Sequence, residues 1–453
     1  MNIAIVGCGK IGSTILASLV AEGHNVTAVD NNPDTITEIT NIHDCMGICG
    51  NGADCDILEE IGAGNSEMFI AVTGSDELNM LSCYLAKKMG AKHTVARIRN
   101  PEYNDRSLDF MKQELGLSMA INPELLAAKE LFNILKLPSA VKIEKFSGSR
   151  FELVEVKLQK DSAFDGLSLS EIRQKYKAKF LVCVVARDNE VFIPDGNFRV
   201  KSGDRIGLTA TPAEIQKLFR STSLSKKQAK NVMILGGGKI GFYLSKLLLS
   251  DSNNNVKIIE KDENICKELS ESLPEAVIIN GDGASKELLL EEGVTTTDAF
   301  VSLTGMDEQN ILFSVYSSSL NVPKVITKVN NPSLASMAEN LGLDSIITPR
   351  QIISDVLVSY ARALKNSLGS KVETLYNLFD GKAQALEFIV SGESKLIDIP
   401  IKDLRLKKNI LIAGILRGRT PIIPSGDDHI LEGDKVIIIS SDTLLEDLDE
   451  ILK

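Results

Sequence analysis

The chain has 453 residues, 43% of them hydrophobic, and a formal net charge of −11 at pH 7. This length corresponds to roughly three domains of about 150 residues, which excludes a single small binding module. The acidic charge argues against nucleic acid as the main partner and against adhesion to an anionic membrane, because both are negatively charged. Apolar runs such as Val436–Ile439 are far shorter than the ~18 residues that span a bilayer, so no membrane insertion is expected.

The first residues predict a cytoplasmic protein without a signal peptide, because MNIAIVGCGKIG has no basic leader and runs directly into glycines. Seven cysteines, an odd number, indicate free thiols. Cys45, Cys49 and Cys55 lie near His43, and a metal or redox site is one interpretation of this group. Their spacing matches no paired CxxC motif and free cysteines are often small core residues, so no metal site is predicted.

The opening segment alternates strand and helix patterns. NIAIVG predicts a buried strand, KIGSTILASLVAEG a helix closed by Gly23, NVTAVD a second strand and, further on, MFIAVTG a fourth. This alternation predicts a doubly wound parallel sheet. The helical segment Asn122–Leu137 then ends at Pro138, and short strands alternating with Gly/Asp turns follow in a small α+β unit.

The sequence also repeats itself. GCGKIG at Gly7–Gly12 returns as GGGKIG at Gly236–Gly241, and VTGSDELNM returns as LTGMDEQNI. Asn79 recurs as Asn310, and this separation of 231 residues is kept by other matched positions. Each half is therefore predicted to fold as the same pair of units.

The predicted fold class is α/β, with two tandem Rossmann-like parallel-sheet lobes, each followed by a small α+β lobe. We expect a first nucleotide-binding N-lobe at 1–122, a linking helix and C-lobe at 123–225, a second N-lobe at 230–348 and a second helix and C-lobe at 349–453. A polar, Ser/Lys-rich stretch, Phe219–Asn231, is predicted to link the halves.

The glycine motifs indicate phosphate binding. In Gly7, Gly9 and Gly12 the first glycine permits the tight turn, the second lets the backbone approach a pyrophosphate, and the third lets the helix pack on the strand. The helix N-terminus that follows is an anion site without any side chain. A role of these glycines in packing alone is the alternative explanation.

An acidic residue closes the second strand of each half. Asp30 and Glu260 are placed to accept a hydrogen bond from a ribose 2′-hydroxyl. A carboxylate there repels a 2′-phosphate, so NADH, NAD or an adenine nucleotide is favoured over NADPH.

Other polar residues accompany both motifs. Lys10 and Lys239 lie inside the glycine loops, where they add a point charge near phosphate oxygens, although solvated lysines are equally expected. Asn51 and Asp282 follow the third strand near the position of an adenine, with turn formation as the alternative role.

The two halves differ in cationic residues. Arg97 corresponds to Lys328 and Arg99 to Asn330, so the first half offers two guanidinium groups where the second offers one ammonium. We therefore predict that the two sites are not equivalent.

Catalytic groups are not evident in the sequence. A dehydrogenase needs a group that moves a proton near the nicotinamide, usually His or Lys. The four histidines, at positions 24, 43, 93 and 429, do not recur between the halves, and no P-loop, GxSxG or HExxH motif occurs. The chain is predicted not to be an enzyme, with a tandem Rossmann oxidoreductase as the alternative.

The order of strand, GxGxxG, acidic residue, GNGAD, VTGSDELNM and ARIRNPEY, present in related form twice, closely resembles the TrkA family over nearly the whole chain. Members of this family are peripheral cytoplasmic subunits of bacterial Trk potassium-uptake systems, built of tandem regulator-of-potassium-conductance (RCK) units. The resemblance implies an RCK N-lobe and a TrkA-C lobe in each half. It also implies a homo-oligomeric ring docked beneath a TrkH/TrkG-like membrane potassium transporter, with gating that responds to NAD(H) or ATP/ADP.

The regulator of another potassium carrier, such as a potassium/proton antiporter, is a further alternative. The resemblance implies no catalytic or metal-binding residue, and it places a set of cofactor-binding residues around each ligand. Around the first ligand these are Gly7, Cys8, Gly9, Lys10, Ile11, Gly12, Asp30, Asn51, Ala53, Thr73, Gly74 and Arg97. Around the second they are Gly236, Gly237, Gly238, Lys239, Ile240, Gly241, Glu260, Asp282, Ala284, Thr304, Gly305 and Lys328.

Two amphipathic helices are predicted after the N-lobes. NPELLAAKELFNIL and PRQIISDVLVSYARAL carry apolar residues at helical spacing. We expect them to pack between lobes or subunits, with burial in their own core as the alternative.

Overall fold

The computed structural model describes residues 1–453 apart from positions 102, 104, 138, 147, 149, 160–161, 189, 223–228, 251–252, 367–371, 380–381, 442–444 and 446. Its named strands form two six-stranded and two five-stranded sheets. Within the described ranges, none of the helices has the length and apolar character needed to cross a bilayer.

The first N-lobe alternates strands and helices. Its elements are β1 (Asn2–Val6), α1 (Lys10–Ala21), β2 (Asn25–Asp30), α2 (Pro33–Ile42), β3 (Met46–Cys49), α3 (Cys55–Glu60), β4 (Met68–Ala71), α4 (Asp76–Met89), β5 (His93–Arg97), α5 (Asp105–Leu115) and β6 (Met119–Ile121). The strand order is β3-β2-β1-β4-β5-β6, and the pairs are parallel. This is the doubly wound topology, in which the carboxyl ends of the strands face a ligand.

A long helix and the first C-lobe follow. Their elements are α6 (Pro123–Lys136), β7 (Ala140–Phe146), β8 (Phe151–Lys157), α7 (Leu169–Lys175), β9 (Phe180–Arg187), β10 (Glu190–Phe192), β11 (Arg205–Ala210) and α8 (Pro212–Ser221). The sheet is antiparallel, in the order β10-β9-β11-β8-β7. The Asn122 side chain caps α6 by accepting a hydrogen bond from Leu125 N, which explains why the helix begins there.

The second N-lobe repeats the first. Its elements are β12 (Asn231–Leu235), α9 (Lys239–Leu249), β13 (Asn255–Glu260), α10 (Glu263–Ser272), β14 (Val277–Asn280), α11 (Lys286–Glu291), β15 (Ala299–Ser302), α12 (Asp307–Ser319), β16 (Lys324–Lys328), α13 (Pro332–Asn340) and β17 (Ile346–Ile347). The strand order β14-β13-β12-β15-β16-β17 matches the first sheet strand for strand.

The second C-lobe closes the chain. After α14 (Pro349–Asn366), its strands are β18 (Val372–Leu378), β19 (Ala383–Ile389), β20 (Ile410–Arg417), β21 (Thr420–Ile422) and β22 (Lys435–Ser440). Short 3-10 turns occupy Ala63–Asn65, Val294–Thr296, Ile401–Asp403 and Leu448–Ile451. The four sheets confirm the predicted fold class of two Rossmann-like lobes, each with a small antiparallel companion.

The helices α6 and α14 are exchanged between the halves. The apolar face of α6, including Leu131 and Leu135, packs into the core of the second N-lobe against residues such as Leu244 on α9. In the same way α14 buries Ile353 and Leu357 against α1 and β1 of the first N-lobe. The amphipathic patterns thus reflect packing between lobes, as predicted.

Polar contacts reinforce this exchange. Arg362 on α14 donates two hydrogen bonds to the Glu22 carboxylate at the end of α1, at 2.7 and 2.5 Å. On the other side, Asn122 donates to the Tyr243 hydroxyl on α9 at 3.1 Å, and that hydroxyl donates to Arg99 O at 3.2 Å. Each N-lobe is therefore held by a helix that belongs to the other half.

The two C-lobes share one apolar interface. Phe151 and Val184 of the first sheet lie in one buried cluster with Phe379 and Ile437 of the second. Thr209 Oγ1 donates to Ala413 O at 2.8 Å inside this interface. The halves are joined through both pairs of lobes.

The predicted linker, Phe219–Asn231, overlaps a helix at its start and a strand at its end. Phe219 is 4% exposed and lies in α8 within the first C-lobe core, and Asn231 begins β12. The Ser/Lys-rich composition of this stretch did not indicate that Phe219 packs α8 against the core. The middle of the predicted linker, 223–228, lies outside the described residues, as does Pro138, the predicted helix stop.

Candidate functional site

Each glycine loop makes a tight turn between strand and helix. Gly7 has φ +92°, and a Cβ there would lie 2.8 Å from Thr73 N. Gly12 packs against the same turn, since its Cβ would lie 1.8 Å from Gly7 O. In the second half Gly236 has φ +104° and Gly241 repeats the close approach, at 2.5 Å from Gly236 O. These glycines are required by the backbone.

The middle glycine of each loop has a different environment. Gly9 and Gly238 are the N-caps of α1 and α9, and a Cβ at either position would meet nothing within 4 Å. Neither helix has a side-chain cap or an acidic residue in its first turn. The N–H groups of both first turns therefore open onto free space with the helix dipole unopposed, an arrangement suited to a phosphate.

The two acidic residues support the loops directly. Asp30 accepts hydrogen bonds from Cys8 N at 2.7 Å and Asn32 N at 2.9 Å. Glu260 accepts from Gly237 N at 2.7 Å. Both carboxylates also line the clefts described below, and a carboxylate oxygen with one donor still has a lone pair free for a hydroxyl.

A buried asparagine organises the next two strand ends in each half. Asn79 accepts hydrogen bonds from Thr73 N and Oγ1, both at 2.7 Å, and donates to Arg97 O at 2.9 Å. Asn310 makes the corresponding bonds to Thr304, at 2.8 Å, and to Lys328 O, at 3.0 Å. These asparagines fix the threonine turn and the cationic residue relative to each other.

An aspartate at the start of the same helix holds the segment after β5 or β16. Asp76 accepts from Arg99 N and Asn100 N, both at 2.8 Å, and Asp307 accepts from Asn330 N at 2.8 Å. No site role was predicted from the sequence for Asn79, Asn310, Asp76 and Asp307. Their recurrence in the SDELN and MDEQN repeats was the available signal.

Asn51 and Asp282 form turns and also line the clefts. Asn51 Oδ1 accepts from Ala53 N at 3.1 Å, and Asp282 Oδ1 accepts from Ala284 N at 3.0 Å. The Ala284 amide and the Lys261 ammonium, 2.9 Å away, hold the pKa of Asp282 below its usual value. Both proposed roles, turn formation and ligand contact, fit the same positions.

The first cleft has a volume of about 970 Å³ and lies over the carboxyl ends of the first parallel sheet. Nine of its predicted residues line it, namely Gly7, Gly9, Lys10, Ile11, Asp30, Asn51, Thr73, Gly74 and Arg97. Cys8, Gly12 and Ala53 are not among the lining residues. Cys8 points into the core, where burial raises the pKa of its thiol to about 12.

The second cleft has a volume of about 500 Å³. Ten predicted residues line it, namely Gly236, Gly238, Lys239, Ile240, Gly241, Glu260, Asp282, Thr304, Gly305 and Lys328. Gly237 and Ala284 do not. The two clefts adjoin, because Glu124, Ile240 and Lys328 line both of them.

The cations at this junction are incompletely paired. Arg97 is 9% exposed, donates to Glu124 Oε1 at 3.2 Å, and has a buried Nε atom without a hydrogen-bond partner. Burial lowers its pKa, while the Glu124 carboxylate opposes that shift. Lys328 makes one long hydrogen bond, 3.4 Å to Leu303 O, and burial lowers its pKa as well. An anionic ligand would relieve the cost of burying these charges.

The described residues that line the two clefts include no histidine, cysteine or tyrosine. The described ranges contain no group of three or more His, Cys, Asp and Glu residues suited to a metal ion. Cys45 and Cys49 instead lie near separate backbone carbonyls, those of Ile39 and Asn31.

Comparison with known proteins identifies the domains. Residues 3–123 and 232–349 match the model of the TrkA-N domain, and residues 153–222 and 385–453 match the TrkA-C domain. These two matches follow the repeat along the chain.

Curated relatives align over the full length. The Trk system potassium uptake protein TrkA of Haemophilus influenzae is 30% identical over 98% of this chain and 96% of its own. A TrkA homolog of Methanosarcina mazei is 29% identical over 100% of both chains. Among solved structures, the GsuK channel bound to NAD superposes with a TM-score of 0.63 at 15% identity, over 97% of this chain and 77% of the channel's, which shows a shared fold. By its paired TrkA-N and TrkA-C domains and these full-length relatives, the chain belongs to the TrkA family.

Proposed function

We propose that this protein is a regulatory subunit of a potassium-uptake system and that each N-lobe binds one nucleotide, NAD(H) or ATP/ADP. The relatives that align over its full length are named potassium uptake proteins, which supports the first part. In this role the subunit lies at the inner face of the membrane, in a ring of RCK lobes attached to a TrkH/TrkG-like transporter.

The observation that carries nucleotide binding is the environment of Gly9 and Gly238. Each begins an uncapped helix, faces open space and lies in a cleft that also contains a ribose-type carboxylate, Asp30 or Glu260. Helix N-termini without side-chain caps retain unsatisfied N–H donors, which a pyrophosphate can accept from. The fold of the GsuK channel, which is described as bound to NAD, is compatible with this use of the cleft.

Regulation is favoured over turnover by the relatives of this chain. The relatives that align over the full length are named potassium uptake proteins, and the described lining residues of the clefts include no histidine beside a nicotinamide position. Because the clefts adjoin where the two N-lobes meet, a bound ligand contacts both halves. A ligand that binds one arrangement of the lobes more tightly shifts the population towards it.

Isothermal titration of the full chain with ADP, ATP and NADH tests the binding proposal. We expect two sites per chain, and none in a chain that carries both Gly9→Val and Gly238→Val. A Cβ at either position would meet nothing within 4 Å, and the thermal unfolding midpoint without ligand serves as the folding control.

Potassium flux tests the regulatory proposal. When the protein is reconstituted in liposomes with its cognate transporter, flux should depend on nucleotide, and the double valine variant should abolish that dependence. Flux that ignores nucleotide, or steady consumption of NADH by the protein alone, would overturn the proposal.

A further inference from the structure

The far end of the first cleft is built partly by the second half of the chain. Besides its own residues, the first cleft is lined by Lys328, Asn330 and Arg350. Arg350 lies in the first turn of α14 and is half-buried. The packing of α14 on α1, through Ile353 and Leu357, brings this guanidinium to a site that is distant in sequence.

Arg350 is a cation without a counter-ion in the part of the chain that the structure describes, since it makes neither an ion pair nor a side-chain hydrogen bond there. It lies close enough to Lys328 that its charge helps to lower the pKa of that amine, although burial contributes more and Asp307 opposes. Arg97, buried and with a free Nε, lines the same cleft. Like charges gathered at low exposure are unfavourable unless an anion lies between them.

In the first half, the position that corresponds to Arg350 carries the opposite charge. Glu124 follows Pro123 at the start of α6, as Arg350 follows Pro349 at the start of α14. Glu124 pairs with Arg97 and lines the second cleft as well as the first. Arg350 lines the first cleft, and the lining of the second does not include it.

The strand order defines which part of a ligand reaches this end. Along the edge of the sheet, Asp30 ends β2, the glycine loop follows β1, Thr73 follows β4 and Arg97 ends β5. A nucleotide with its ribose at Asp30 and its first phosphates at the glycine loop therefore extends towards Arg97 and Arg350. A nicotinamide nucleoside would place few anionic oxygens there, whereas a third phosphate places three.

We propose that Arg350 binds the terminal phosphate of a nucleoside triphosphate held in the first cleft, so that the second half of the chain completes the first site. This inference rests on the proposed function, since it assumes that the first cleft holds a nucleotide. Arg350 acts as a specificity-determining residue: it separates triphosphates from diphosphates and dinucleotides through charge-assisted hydrogen bonds.

The test uses the full chain with Gly238→Val, which leaves the first cleft as the nucleotide site. Titration with ATP, ADP and NADH is compared with and without Arg350→Gln. We expect the substitution to weaken ATP about tenfold and to change ADP and NADH less than twofold. Arg350→Lys should restore part of the ATP affinity, because it keeps the charge without the planar fork.

Arg173→Gln is the matched control, because Arg173 is exposed on α7 of the first C-lobe, away from both clefts. A merely structural role for Arg350 would weaken all three ligands together and lower the unfolding midpoint. That result, or ATP binding unchanged by Arg350→Gln, overturns this inference alone. If no nucleotide binds even to the unsubstituted chain, the proposed function fails and the inference with it.

Discussion

The two clefts have the same backbone design and different charges. In both, a left-handed glycine opens the turn, an uncapped helix begins at a glycine with free space beside it, and a buried asparagine joins the threonine turn to the next strand. At the far end Lys328 and Glu124 line both clefts, whereas Arg97 and Arg350 line the first and are not among the lining residues of the second. Features that the backbone needs are thus repeated, while side chains that face only ligand or solvent differ.

Under the proposed function, ligand selectivity resides at the junction between the lobes. The phosphate-binding helix ends and the ribose carboxylates give both clefts a common affinity for nucleotides under the proposed function. The junction between the lobes supplies the difference, because cations with different geometry and hydration meet the end of each ligand there.

The largest expected effect separates the two clefts. Gly9→Val fills the space that a pyrophosphate would occupy in the first cleft, and Gly238→Val does the same in the second. Each should weaken binding in its own cleft more than about 100-fold and reduce the titration stoichiometry from two to one. Each variant is the control for the other, and two sites remaining in either one would contradict the assignment.

The ribose carboxylates should have a smaller effect. Asp30→Asn and Glu260→Gln keep the side-chain shape while removing the charge that strengthens a hydrogen bond from a hydroxyl. We expect a loss of roughly 1 to 3 kcal/mol for ADP, the scale of hydrogen bonds to charged groups. Binding of 2′-deoxy-ADP is the control: an equal loss for both ligands would show that the carboxylates act only by holding Cys8 N and Gly237 N.

Alkaline pH should distinguish the clefts further. Burial lowers the pKa of Lys328, so its ammonium loses charge at a lower pH than an exposed lysine, while the Arg97 guanidinium stays charged. As the pH rises from 7 to 10, ADP affinity in the second cleft, measured in Gly9→Val protein, should fall several-fold. The fall should be smaller in the first cleft, where Lys328 also lines the cleft but Arg97 and Arg350 supply further cations. Lys328→Arg should remove this difference, and a fall that persists in that variant would point to another group.

The smallest expected effect concerns the contact between the halves. Tyr243→Phe removes the hydroxyl that joins Asn122 to Arg99 O beside the first cleft, and should destabilise the chain by about 1 kcal/mol. Chemical unfolding measures this change. Tyr316→Phe is the matched control, because the Tyr316 hydroxyl makes no hydrogen bond within the described residues, and an equal loss in both variants would rule out the cross-lobe contact as the cause.

Features that depend on residues close together in the chain could be predicted from the sequence. Gly7, Gly9 and Asp30 could be placed because a strand, a turn and a helix within some 30 residues define their positions. The exchange of α6 and α14 was only half predicted: their amphipathic faces indicated packing between lobes, but not which core each helix would enter. Arg350 was missed for the same reason, since it reaches the first cleft only through that exchange.

The roles of inward-facing polar residues were also not predicted from the sequence. In the sequence, Asn79 and Asp76 are typical of residues near a helix start. Only the fold shows that Asn79 joins two strand ends and that Asp76 holds the chain after Arg97. Their positions depend on contacts between elements, which residue spacing does not describe.

The exchanged helices allow the duplicated chain to place different charges in its two clefts, which a dimer of identical half-chains cannot do. Two-fold symmetry would place the same side chain at the positions now held by Glu124 and Arg350, so both clefts would receive the same charge. Covalent fusion breaks this symmetry while the tether keeps the partners together at high effective concentration. Under the proposed function, one lobe pair can thus hold two unlike ligands side by side, and a mutation in either helix alters the cleft of the opposite half.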